Sequence, residues 1–422
     1  MCPAAGRLED YMDKGKLRAY AKLIARMGVN VQPGQEVVIR SEPEQLEFLE
    51  MLIDECYLAG AGKVSVEWRF AAAQRLDIKY QADATLGRVE PWEEQRLKER
   101  VDKLPANIYL DSDDPDGLAG VDQDKWARAQ QSRFKVTKPY RDAMENKYQW
   151  CVAAVPGAMW AKKVFPDLSE AEAVEKLWEA ILKCSRADGD DPMAAWREHN
   201  ANLRRRCDWL NSLSLRRLVY RSESTGTNLT VGLIDKMLFM GGDEALLNTP
   251  VCFNANIPSE EVFTTPMRGE VEGLAVATRP LSYRGSLIEN FSVRFENGRA
   301  VEVHAEKNQK ALELMVAMDD GAAMLGECAL VPYNSPIRES GILFYSTLFD
   351  ENASCHLALG EGYSSCLKDF EKYTPDEARA VGVNESMIHE DFMIGAPDLN
   401  ITGITADGRE VPIFVNGDWA DA

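Results

Sequence analysis

Apolar residues recur at helical spacing near the start of the chain, at Leu8, Tyr11, Leu17, Tyr20, Ala21, Ile24 and Met27, which predicts an amphipathic helix. Gly28 and the Gln32-Pro33-Gly34 turn end it. The run Glu36-Val37-Val38-Ile39-Arg40 then predicts a short buried strand. A helix follows from Pro43 through Leu46, Leu49, Leu52, Ile53 and Tyr57, stopped by Gly60 and Gly62, and Val64-Ser65-Val66-Glu67-Trp68 is the next strand. Ala71–Tyr80 reads as a helix. Asn107–Asp111 reads as a strand, with a turn after it at Asp114-Pro115-Asp116-Gly117, and Gln149–Val155 as another strand. This β-α-β-α rhythm predicts a mostly parallel sheet with helices on its faces. Two helices lead away from it, Ser169–Arg186 with acids in its first turn and Pro192–Leu213 with Trp196, Leu203, Trp209 and Leu210. The second ends in a basic turn, as the helix dipole favours. His199 lies on it among polar residues and reads as a surface position.

From Arg217 onward the pattern changes to strands: Leu218–Arg221, Asn228–Val231, Gly273–Thr278 and Leu287–Phe295. Asn297-Gly298 and Asp407-Gly408, each between two apolar-alternating runs, predict hairpins. His304 sits in one of these runs as a solvent-facing position. The shift places a domain boundary near residue 215. The expected fold is an α/β N-terminal domain with a mostly parallel sheet (residues 1–214), which serves as a scaffold and shapes the substrate site. A β-rich α+β domain (residues 215–422) follows and carries the candidate chemistry.

Composition narrows the function classes. A chain of 422 residues that is 45% hydrophobic and 27% charged matches a soluble globular enzyme of two or three domains. The net charge of −20 argues against nucleic acid and anionic membrane as partners, which select positive surface. The first ten residues lack a basic segment followed by an apolar run, so no signal peptide is expected. Nine cysteines with no CxxC pair fit free thiols in a reducing cytoplasm. Neither GxGxxG nor GxxxxGK[ST] occurs, so nucleotide binding has no support.

The chain has four histidines, and two of them fall within Glu327–Asp391, each with carboxylates beside it. His356 closes Phe349-Asp350-Glu351-Asn352-Ala353-Ser354-Cys355-His356, and His389 opens His389-Glu390-Asp391. Glu327 lies upstream and Tyr363 seven residues beyond His356. Imidazoles and carboxylates are the ligand set for zinc, cobalt or manganese. His389 and Asp391 leave the same face of a strand, whereas Glu390 faces away. No HExxH occurs, which excludes a thermolysin-like single-zinc site. Glu260 reads either as a general base, as an acid supporting a neighbour, or as a residue turned away from Glu261. Asp350 reads as a partner for the second nitrogen of a ligand histidine.

Several long motifs occur in order: Asn256-Ile257-Pro258-Ser259-Glu260-Glu261-Val262-Phe263-Thr264-Thr265-Pro266, Leu325–Pro332, Ser340–Tyr345, Leu348–His356 and Asn384–Gly395. With them the chain resembles the aminopeptidase T family of dinuclear metallopeptidases. The similarity spans essentially the whole chain and departs in the length of the Lys368–Gly382 connection. It implies that Glu261, Glu327, Glu351, His356, His389 and Asp391 hold two divalent metal ions, with Glu327 bridging them, and that Tyr363 is an active-site tyrosine. It further implies a homodimer that removes N-terminal residues from peptides with a free N-terminus, by means of a metal-activated water. The residues alone leave open a dinuclear hydrolase of another amide and a relative that only binds.

Overall fold

The computed structural model describes residues 13–247 and 249–420. These form two compact units, one of the described residues up to His199 with Asp243–Ser259, the other of Asn200–Gly242 with the residues from Glu260 onward. The division falls inside the Pro192–Ser212 helix, and the first unit takes back a later segment. That segment carries Asn256–Ile257, a strand hydrogen-bonded into the first unit's sheet.

The sheet of the first unit is parallel, as the β-α-β rhythm predicts. It is built from β1 (Glu36–Ser41), β2 (Lys63–Trp68), β3 (Ala106–Asp111) and β4 (Trp150–Ala154), in the order β2-β1-β3-β4 followed by Asn256–Ile257. Val37, Ile39, Ile108, Leu110, Cys151 and Ala153 are buried in it. The first helix runs Lys14–Leu23 and continues as a wider turn over Ile24–Gly28, while Leu8 and Tyr11 lie outside the described residues. Leu46–Ala59, Ala71–Tyr80 and Glu170–Cys184 are helical as expected, the last opened by a reciprocal cap between Ser169 and Glu172. Tyr20, Phe48 and Trp178 pack as one aromatic group, with ring centroids 5.2 to 6.4 Å apart. Pro91–Lys103 and Gln123–Met144 are further helices that the hydrophobic pattern does not signal. The first buries no residue and the second only Ala129 and Met144, so neither has an apolar stripe to read. His199 departs from its surface reading: it is 8% exposed, sits against the Trp196 ring, and its Nε2 is 2.7 Å from the Ser259 carbonyl oxygen.

The second unit holds two antiparallel sheets. The larger has nine strands, among them Leu215–Arg221, Asn228–Leu233, Pro266–Val276, Ser286–Glu296, Arg299–Lys307, Asn400–Thr405 and Glu410–Val415. Asn297 and Gly298 both have positive φ, 50° and 79°, as a two-residue hairpin turn of matching twist requires. The smaller sheet has four strands in the order Val262–Thr264, Leu325–Leu330, His356–Gly360 and His389–Met393. One of its faces is apolar, with Cys328, Leu357 and Phe392 in register across it and all buried. Phe392 packs on Phe291 of the larger sheet, with ring centroids 5.7 Å apart.

Candidate metal centre

The opposite face of the four-stranded sheet collects the candidate chemistry. Glu327 and Asp391 both lie opposite Ala358, and His356 lies opposite Ala329. Directly paired residues share a face, and so do residues two apart on a strand. Glu327, His356, His389 and Asp391 therefore project from one side, and the two alanines between them keep the middle of that side free of bulk. Glu261 stands one residue ahead of the Val262–Thr264 strand rather than on it, so strand alternation does not decide the direction of Glu260 or Glu261; both are buried. Glu351 begins a 3₁₀ turn, Glu351–Ala353, and His356 the strand after it.

Two overlapping groups of metal-ligand atoms result. Glu261, Glu327 and His356 form one, and Glu327, His389 and Asp391 the other, with the donor atoms of each within 4.8 Å of one another. Glu327 belongs to both. His356 Nε2 is 3.2 Å from Glu261 Oε2, and His389 Nε2 is 2.9 Å from Glu327 Oε2 and 3.6 Å from Asp391 Oδ1. Glu351 stands against Asp391 as an additional carboxylate.

The backbone fixes both imidazoles. His389 Nδ1 lies 2.8 Å from the Glu361 carbonyl oxygen and His356 Nδ1 3.2 Å from that of Ser354. Each Nδ1–H donates to a carbonyl, which leaves each Nε2 facing the acids. Asp350 does not have the orienting role suggested by its position. It is buried against Arg279 at 3.0 Å and accepts the Phe344 N–H at 3.1 Å. The carbonyls already satisfy the ring nitrogens it was expected to serve. Arg279 also donates to the Ile342 carbonyl at 2.7 Å, so the Ser340–Tyr345 motif folds around this ion pair.

Tyr363 reaches the site by a loop, because Gly360 (φ 110°) ends the strand where a Cβ would meet the Ile388 oxygen at 2.0 Å. Thr265 holds that loop, its hydroxyl accepting the Tyr363 N–H at 2.8 Å and donating to the Tyr363 carbonyl at 3.2 Å. The phenol oxygen lies 3.1 Å from His389 Nε2.

Charge is crowded here. Burial, then Asp391, Glu261 and Glu327, push the Glu351 carboxyl well above its usual range. Burial raises Glu327 to about 7 despite its bond to His389. Burial pushes His356 down, but the bond to Glu261 and the neighbouring acids overcome it and hold the ring up at about 9. Burial likewise opposes the charge on His389, and Asp391 and Glu327 outweigh it. Burial and the same carboxylates keep the Tyr363 phenol protonated. Asp391 Oδ1 is buried with no hydrogen-bond donor. Converging carboxylates with an orphaned oxygen are what divalent cations would relieve, so the donor set fits a metal site.

Glu390 is pushed to about 7 by burial and by Asp391, and lies outside both groups. Glu260 is also outside them, and its backbone N–H donates to Asn352 Oδ1 at 2.6 Å. Arg279 gave no signal in the sequence, since a lone arginine in a loop is unremarked without its partner. Asn352 was visible only as a member of the Leu348–His356 motif.

A buried, overlapping pair of carboxylate–imidazole groups on one face of a sheet defines a candidate centre of the metal-dependent hydrolase class. The chain belongs to the thermophilic metalloprotease family (M29), whose model matches residues 13–419. It is 42% identical over 406 residues to aminopeptidase AmpS of Bacillus subtilis (strain 168), covering 96% of this chain and 98% of that protein. Aminopeptidase 2 of Geobacillus stearothermophilus is 40% identical over 415 residues, covering 98% of each. Among solved structures, wild-type AmpT from Thermus thermophilus superposes with a TM-score of 0.86 at 36% identity, covering 96% of this chain and 99% of that one. The fold is thus the expected one, a parallel α/β part followed by antiparallel sheets.

Proposed function

We propose that this protein is a metal-dependent aminopeptidase that removes N-terminal residues from peptides with a free α-amine. The observation that carries the reading is Glu327 standing in both ligand groups, in a chain that belongs to a metalloprotease family. Two ions are assigned: one to Glu261, Glu327 and His356, the other to Glu327, His389 and Asp391, with Glu351 completing the set. Zinc, cobalt and manganese all suit these oxygen and nitrogen donors. Bound there, divalent ions supply polarisation of the scissile carbonyl and a water acidic enough to ionise near neutral pH.

The protein's own residues have distinct tasks. The Glu361 and Ser354 carbonyls keep His389 and His356 in the tautomer that presents Nε2. Tyr363, kept protonated by burial among carboxylates, donates to the oxyanion that develops on the substrate. Glu260, buried beside Glu261, is the candidate acceptor for the proton of the attacking water. A homodimer in the cytoplasm is the assigned setting. The free thiols of the eight described cysteines favour a reducing compartment, and no described helix is long and apolar enough to cross a membrane.

The test is release of p-nitroaniline from an aminoacyl-p-nitroanilide before and after chelation, beside the N-acetylated substrate. Hydrolysis of the free amine alone, lost on chelation and restored by zinc, cobalt or manganese, is expected. Equal hydrolysis of the acetylated substrate points instead to a dinuclear hydrolase of other amides. No turnover by metal-loaded protein points to a binding relative.

A further inference from the structure

Asn352 is fully buried, one residue after Glu351. Its amide uses three polar contacts. Oδ1 accepts the Glu260 backbone N–H at 2.6 Å, and Nδ2 donates to the Leu348 carbonyl at 3.1 Å and to Glu351 Oε1 at 3.3 Å. The orientation is determined, because a flipped amide would place NH₂ against an N–H and oxygen against two oxygens. One side chain therefore ties the 3₁₀ turn that carries Glu351 to the segment that carries Glu260 and Glu261, 92 residues away in sequence. Glu261 precedes its strand, and the turn is a three-residue extension of the Thr347–Asp350 helix, whose last N–H bond is from Glu351 to the Thr347 carbonyl.

We infer that Asn352 is a positioning residue for the metal centre, setting the distance between Glu351 and the Glu260–Glu261 segment and fixing which Glu351 oxygen stays free for an ion. The inference rests on the proposed ligand roles of Glu261 and Glu351. Aspartate cannot substitute for the amide. It keeps an acceptor for the Glu260 N–H but sets a carboxylate against Glu351 and against the Leu348 carbonyl.

The experiment compares Asn352→Ala, Asn352→Asp and Glu351→Gln with the parent protein. Co²⁺ is the probe, with affinity read by chelator competition, the cobalt visible spectrum, and the thermal midpoint of metal-free protein. Removal of a partner that orients a ligand weakens metal binding by about 10–100-fold. Both Asn352 variants are expected to show that loss and a shifted cobalt spectrum, with circular dichroism like the parent's. Should Asn352→Ala fail to fold, Asn352→Asp, which is isosteric, decides alone. Weaker binding in Glu351→Gln beside parental affinity and spectrum in the Asn352 variants would overturn the positioning role and leave the ligand assignment standing. Parental affinity in Glu351→Gln would overturn the ligand assignment, and the inference with it. A lowered midpoint without change in affinity or spectrum would reduce Asn352 to a packing residue and overturn the proposal as well.

Discussion

At the scale of single residues, groups that would hold metal are distinct from groups that would act on substrate. Glu327 is the only residue in both ligand groups. An amide cannot give two cations an anionic oxygen each, so Glu327→Gln is expected to lose turnover and bound metal while keeping a parental circular dichroism spectrum. Near-normal activity and metal content would place the centre elsewhere. Tyr363 touches His389 Nε2 through its phenol oxygen. As a donor needed only in the transition state, it predicts that Tyr363→Phe lowers kcat by about 100-fold or more with little change in KM. Loss of metal instead would make it a ligand, and no change in either would make it a pocket wall. His199 is a different kind of residue, buried and bonded to the Ser259 carbonyl. The candidate ligands were readable because histidine is scarce in this chain and the motifs are long. The burial of His199 was not, because its partner is a backbone oxygen 60 residues away, and backbone atoms leave no trace in residue identity.

At the scale of elements, the sheet face does the assembling. Three strands, Leu325–Leu330, His356–Gly360 and His389–Met393, place Glu327, His356, His389 and Asp391 in register, and tight backbone approaches hold the frame. Gly326 makes one of them: a Cβ there would lie 2.0 Å from the Glu361 oxygen, which also accepts the His389 Nδ1–H. Gly326→Ala is expected to push that carbonyl aside, costing about 1–3 kcal/mol of stability and weakening metal binding, checked by urea unfolding and chelator competition. The Arg279–Asp350 pair is the second element-scale feature, with both side chains less than a tenth exposed. Removing one partner of a buried pair costs about 3–5 kcal/mol, the loss expected for Arg279→Ala. Burial holds Asp350 at about 6, above an unfolded carboxyl, even with the arginine present. A raised carboxyl pKa means stability that is present at low pH and is lost as pH climbs through that value. The Arg279→Ala deficit should therefore be smallest in acid and grow toward neutrality; a deficit independent of pH would contradict it. The alternating strands and the parallel sheet were legible because period-2 and β-α-β patterns record burial directly. Pro91–Lys103 was not, since it buries no side chain, and the direction of Glu261 was not, since it lies off the strand.

At the scale of the whole molecule, the candidate centre gathers several of the acids that make the chain strongly negative. The net charge is −20, and Glu261, Glu327, Glu351 and Asp391 converge in one buried site. Cations that bind the folded centre stabilise the protein by mass action, about 2.7 kcal/mol at a hundredfold excess over Kd. For a unit of this size that amounts to roughly 5–10 °C in thermal midpoint, to be seen by calorimetry with and without chelator. The central claim, that Glu327 and its neighbours would hold two divalent ions in a protein that removes N-terminal residues, is tested most directly by titrating metal-free protein with Co²⁺ or Zn²⁺. Bound metal and hydrolysis of an aminoacyl-p-nitroanilide are followed together. The account predicts that metal content levels off at two ions per chain, with activity fully present once both are bound. Saturation at one ion per chain, or full activity in metal-free protein, would contradict it.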